Sequence, residues 1–186
     1  MAKPAKKPTE LTVGPVRISY AYVWEPREAE EGKRPKYETM ILVPESETKI
    51  VARLNKAIDA AVEAGKKRYG EEWATKNKSS FKRPLKEGNE EKPGEDIYED
   101  MLYFNAWSYN APEIVDRQVQ PILKQSEVYS GCWANISLEF YPYDNEGRGV
   151  GVMLGNIQKV RDDEKLAGGR SAAEDFVAMD DDEDDI

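Results

Sequence analysis

Aromatic rings set beside lysines and arginines are the residues here with the clearest chemistry to offer. Tyr103, Asn105, Trp107 and Tyr109 are spaced two apart, so on an extended chain all four point the same way. Tyr22 and Trp24 repeat that spacing after Tyr20. Phe81 lies within KNKSSFKRPLK, among Lys76, Lys78, Lys82, Arg83 and Lys86. Cations neutralise phosphate, and a ring offers its face to any base, so the combination suits a single-stranded nucleic acid. The stacking candidates are Tyr22, Trp24, Phe81, Trp107 and Tyr109. The phosphate candidates are Lys76, Lys78, Lys82 and Arg83, followed by Arg117 and Arg148. Each has a plainer reading. Tyr20 fits a core, the Trp107 and Tyr109 rings could roof a second core under a helix, and Arg117 could pair with the neighbourhood of Asp116.

Several other chemistries are excluded or unsupported. The chain has no histidine and one cysteine, Cys132, which rules out an internal disulfide, a Cys/His zinc site and a His-activated nucleophile. No GxxxxGK[ST] loop is present. The run GRGVG at 147–151 follows a turn instead of opening a helix, so it makes a poor dinucleotide fingerprint. Carboxylates are abundant, yet nothing gathers them into a site; a carboxylate-based metal-dependent enzyme is the least supported alternative. No catalytic residue, metal or cofactor is expected.

The elements that must position the rings follow from periodicity. Cys132, Ala134, Ile136, Leu138 and Phe140 alternate with Trp133, Asn135, Ser137, Glu139 and Tyr141, the pattern of a half-buried strand. Asp144-Asn145-Glu146-Gly147 is turn chemistry, and Val150, Val152 and Leu154 then alternate with Gly149, Gly151, Met153 and Gly155 in a second strand. Glycines on one strand face mark either a barrel corner or a close approach by a ligand. Further strands are expected over 13–24, 37–43 and 101–109. In the first, Val16, Ile18, Tyr20, Tyr22 and Trp24 are placed on one face. A helix is expected over 46–69, capped by Ser46, with Val51, Leu54, Ile58, Ala61 and Val62 inward and Gly70 as its stop. Residues 76–86 are expected to be an irregular basic loop, and 87–100 an acidic surface excursion.

Charge divides the chain. Lys3, Lys6 and Lys7 make residues 1–11 a flexible basic arm. The net charge is −9, and residues 171–186 hold eight carboxylates and no basic residue, so −1 remains for residues 1–170. The expected organisation is therefore an arm (1–11), one folded domain (12–170) and a disordered acidic tail (171–186). The tail ends Asp180, Asp181, Asp182, Glu183, Asp184, Asp185, Ile186. An acidic protein-binding adaptor or DNA mimic is an alternative, weakened because the excess charge sits in one tail. With no signal peptide or bilayer-length apolar run, a cytoplasmic location is expected.

The blocks VRISYAYVWEP, KYETMILVP, IVDRQVQPI, YSGCW, FYPYDNEGRGVGVMLGNIQKVRD and GGRSAAEDF occur in this order over about 12–176. Together they resemble a family of bacteriophage single-stranded-DNA-binding proteins. The resemblance implies a mainly β fold, a five-stranded OB-type barrel with the helix and basic loop inserted between strands two and three. It also implies sequence-independent binding of single-stranded DNA in phage replication or recombination, inside the host bacterium. The tail would regulate DNA access and recruit replication or recombination proteins.

Overall fold

The computed structural model describes residues 3–166. In chain order, β1 is Glu10–Arg27, β2 Lys36–Pro44, α1 Thr48–Tyr69, β3 Phe81–Lys82, β4 Lys86–Glu87, α2 Gly88–Glu91, β5 Met101–Ser108, β6 Ile114–Val115, β7 Trp133–Asp144 and β8 Arg148–Arg161. The long strands β1, β2, β5, β7 and β8 close a barrel. β1 pairs with β2 and β7, β2 with β5, and β7 with β8, all antiparallel; β5 pairs with β8 in parallel. Third and fifth long strands meeting in parallel is the closure of an OB-type barrel. α1 and the basic segment lie between its second and third strands, as expected. The acidic tail lies outside the described residues.

The barrel interior is what the alternation demanded. Cys132, Ala134, Ile136, Leu138 and Phe140 are buried, as are Val150, Val152 and Leu154. From β5, Leu102, Phe104 and Ala106 enter the same core, and the Phe104 and Phe140 rings lie 6.4 Å apart. α1 closes the barrel through Leu54, Ile58 and Ala61, with Ile50 and Ala57 also buried. Gly70 ends the helix, its N–H donating to the Lys66 carbonyl. Ser46 is not the cap: the helix starts at Thr48, and Glu47 stands at the cap position without a side-chain bond. A second, smaller core of Leu42, Tyr98 and Tyr103 forms where residues 96–98 fold over the sheet.

β1 departs from its expected phase. Val16 and Ile18 face inward, but Tyr20 is 54% exposed, while Ser19 and Val23 are buried. Opposite β2 the register shifts between Ser19 and Tyr22, and Tyr20 has φ = 46°. A bulge adds a residue and reverses which positions face the core, so Tyr20 is not a core residue. The expected basic arm is also held in part. Thr9 accepts a backbone bond from Phe140, and Lys7 reaches Glu139 at 3.3 Å.

After β8 the chain crosses the barrel as a strap. The Trp133 indole donates to Asp163 at 2.7 Å, the Tyr129 hydroxyl to Asp162 at 2.9 Å and the Arg17 guanidinium to the Glu164 carbonyl at 2.8 Å. Arg161 lies 4.1 Å over the Trp133 ring. The Lys159 ammonium, 2.7 Å from Asp162, holds that carboxyl below its ordinary range, and the Trp133 indole does the same chiefly for Asp163. Leu166 then packs beside the smaller core.

Candidate nucleic-acid interface

β5 presents Asn105 and Trp107 outward, with Tyr109 just beyond its end, while Phe104 and Ala106 hold the same strand in the core. The β7–β8 hairpin rises beside it. Between them runs a cleft of about 660 Å³, lined by Tyr103, Asn105, Trp107, Tyr109, Tyr141, Tyr143 and Gly151, with Lys82, Arg83 and Lys86 along one wall. The Trp107 indole N–H donates to the Tyr141 hydroxyl at 2.9 Å. Trp107 meets Tyr109 at 5.0 Å and Tyr141 at 6.3 Å between centroids, both nearly edge-on; Tyr141 and Tyr143 are 6.4 Å apart. Edge-on packing fixes the rings against one another. Burial raises the phenols of Tyr141 and Tyr143 above their ordinary values, the Trp107 N–H acting in the other direction on Tyr141. Both hydroxyls therefore stay neutral across the physiological range.

The glycines on β8 are explained by this arrangement. Gly151 lies beneath the Tyr141 ring, which a side chain there would strike. Gly149 faces the Lys82 backbone where β3 joins β8 in parallel, and Gly155 faces Ser137. The approaching group is in each case the protein itself, and at Gly151 it is a ring of the cleft.

Cations surround the rings. Lys36 lies 5.0 Å over Trp107, Arg34 4.5 Å over Tyr109 and Lys86 5.9 Å over Tyr103. Arg83 is ion-paired to Asp59 at 3.1 Å, with both groups largely exposed; such a pair is weak and exchanges readily for another anion. Arg34 comes from the loop between the first and second barrel strands, and Asn145 from the loop between the fourth and fifth. Those two loops flank the ligand groove of an OB barrel.

The sequence candidates divide accordingly. Trp107, Tyr109, Lys82 and Arg83 converge on the cleft. Phe81 does not open onto it: the ring packs edge-on against Trp73 at 4.9 Å. The Trp24 indole packs against the core and donates to the Val128 carbonyl at 3.0 Å. Tyr22 is exposed on β1, outside the cleft. Lys76 lines a separate hollow with Tyr69 and Asp144. Lys78 is exposed on the short 3-10 turn before β3, and Arg117 is exposed on the loop after β6. Residues 76–86, expected to be irregular, contribute two short strands, β3 against β8 and β4 against β5. Pairing with exposed sheet edges overrode the local signals of Ser79, Ser80 and Pro84.

Arg148 is placed as a clamp. Its guanidinium donates to the Trp73 carbonyl at 2.7 Å, the Asn77 carbonyl at 3.0 Å and the Ser80 hydroxyl at 3.3 Å. Arg148→Met is expected to loosen residues 70–80 and cost about 1–3 kcal/mol, because the carbonyls lose their donor. A thermal melt checks the stability, and a DNA titration run beside it should show a smaller affinity loss than Lys82→Ala. Tyr141, Tyr143 and Lys86 also line the cleft without being among the sequence candidates. Tyr141 was legible as the outward end of its strand, but only the hairpin's position over β5 reveals that it faces Trp107. Among the described residues no cluster of carboxylates, histidines or cysteines could hold a metal ion, and no helix is long and apolar enough to cross a membrane.

Comparisons with known proteins agree with this fold. The family model described as the ssDNA-binding protein of Enterobacter phage Enc34 matches residues 9–186. A putative protein, p50, of Acyrthosiphon pisum secondary endosymbiont phage 1 is 29% identical over 174 residues, covering 88% of this chain and 90% of that one. The single-stranded DNA-binding protein from bacteriophage Enc34, solved in complex with ssDNA, superposes with a TM-score of 0.72 at 24% identity, over 89% of this chain and 97% of that one. A single-stranded DNA-binding protein encoded by bacteriophage T7 gives a TM-score of 0.58 at 17% identity, over 94% and 96%.

Proposed function

This chain belongs to the Enc34 family of phage single-stranded-DNA-binding proteins, and from that premise we propose that it binds single-stranded DNA, without sequence preference, in the cleft between β5 and the β7–β8 hairpin. The observation that carries the proposal is the row of Tyr109, Trp107, Tyr141 and Tyr143 walled by Lys82, Arg83 and Lys86. Bases stack on the rings, and the cations take the phosphates. A ring face stacks on any base whatever its edge, which favours a sequence-tolerant single-strand binder over a duplex reader. The cationic wall also weighs against a DNA mimic.

We further propose that the tail acts on this cleft. The run from Asp180 to Asp185 is a tethered polyanion and competes with phosphate for the same cations. Ile186, the apolar residue beside that run, would contact replication or recombination proteins. The setting is phage DNA replication or recombination in the host cytoplasm.

Titrating tryptophan fluorescence with oligo(dT), and then with duplex, tests the reading. Single strands are expected to quench the signal, and affinity should fall with salt at a log–log slope of roughly 0.7 per phosphate neutralised. Equal affinity for duplex, or no binding at low salt, overturns it. A chain lacking residues 177–186 should bind more tightly at low salt, the gain shrinking as salt screens the tail.

A further inference from the structure

We propose that the bound strand does not end at the cleft but crosses β2 to a second stacking surface on β1, formed by Tyr22 and Tyr20. The inference rests on the single-strand reading above. It starts from register. Trp107 stands directly opposite Glu38, and Glu38 directly opposite Tyr22. Direct cross-strand partners share a face, and neighbouring strands are about 4.8 Å apart. Tyr22 therefore lies on the same outer face as Trp107, roughly 10 Å away.

The space between them already has the chemistry of a strand path. Lys36 lies over Trp107 at 5.0 Å and Arg27 over Tyr22 at 5.7 Å. Both cations also reach Glu38, Arg27 at 2.6 Å and Lys36 at 3.9 Å. One carboxylate thus tethers two cations, each beside a ring, and leaves the trio with a net positive charge. A phosphate passing over β2 would meet both cations without either leaving its ring.

The bulge supplies the second observation. Tyr20 and Tyr22 are 54% and 40% exposed, while Val23 beside them is buried. Tyr20 is held at φ = 46°, a left-handed conformation that a bulky residue seldom adopts without a functional or packing reason. An ordinary strand phase would have put Tyr20 inside with Ile18. The bulge turns it out, and bulges commonly re-aim a side chain beside a binding site.

The test compares labelled oligo(dT) of about five and about fifteen nucleotides, lengths that bracket the site sizes of OB folds, by fluorescence anisotropy at low salt. The variants are Tyr22→Ala, Tyr20→Asn, their combination, and Trp107→Ala. Asparagine tolerates the left-handed backbone, and Tyr22→Ala alone carries the test should the bulge prove intolerant. Tyr22→Ala is expected to lose about fivefold or more on the longer strand and nothing on the shorter; Trp107→Ala should lose on both. If the β1 variants bind the longer strand like wild type, or weaken both lengths alike, the second surface is wrong and the cleft stands. If wild-type protein binds neither length, the single-strand reading itself falls, and this inference with it.

Discussion

Phe104→Ala is expected to lower folding stability by about 3–5 kcal/mol, the usual cost of truncating a buried phenylalanine. Its ring is 2% exposed and packs with Phe140 inside the barrel. The cavity would open in the middle of β5, between the two strands that flank it. Neither neighbour can collapse into the gap without breaking its ladder, so relaxation recovers little. Urea unfolding followed by circular dichroism measures the loss. A cost below about 1 kcal/mol would mean that the barrel interior is not packed around this ring.

Trp107→Ala, three residues along the same strand, is expected to do the opposite. It removes an outward ring whose contacts are Tyr109, Tyr141 and the Lys36 ammonium. The Tyr141 hydroxyl loses a donor but lies at the wall of an open cleft where water can replace it. The fold should survive with a small shift in melting temperature. Single-strand affinity should fall by roughly 5- to 150-fold, the equivalent of about 1–3 kcal/mol for one stacked base. Because Trp107 is also a fluorophore, affinity must be read by anisotropy of labelled DNA. Unfolding in place of weakened binding would show that the two faces of β5 had been assigned the wrong way round.

Alternation was enough to read β7 and most of β8, because the apolar face of each strand is buried in the barrel and the opposite face is mostly less so. It failed on β1, where the bulge at Tyr20 adds a residue that no composition marks; Ser19 and Tyr20 exchange the environments their polarity suggests. Of the candidate rings, Trp107 and Tyr109 line the cleft, on a regular strand and just beyond its end. Trp24 and Phe81 pack away from it, because a ring beside cations looks the same in sequence whether its face is open or covered. What covers them, the Val128 carbonyl and Trp73, comes from segments far along the chain or folded back by the Arg148 clamp. Arg148 shows the same ambiguity. A guanidinium satisfies backbone carbonyls as readily as phosphate, and only geometry tells the two apart.

The barrel closes beside the proposed cleft through a slender join. β7 and β8 are laced together from Trp133 to Asp144, whereas β5 and β8 are matched in parallel at Trp107 and Met153. This join runs under the proposed cleft. A ligand lying across Tyr141 and Trp107 would act as a rivet over it, holding two edges that the backbone alone joins lightly. Occupancy and barrel closure are then coupled: bound protein gains roughly RT ln(1 + [L]/Kd) in stability, with contacts spanning this join.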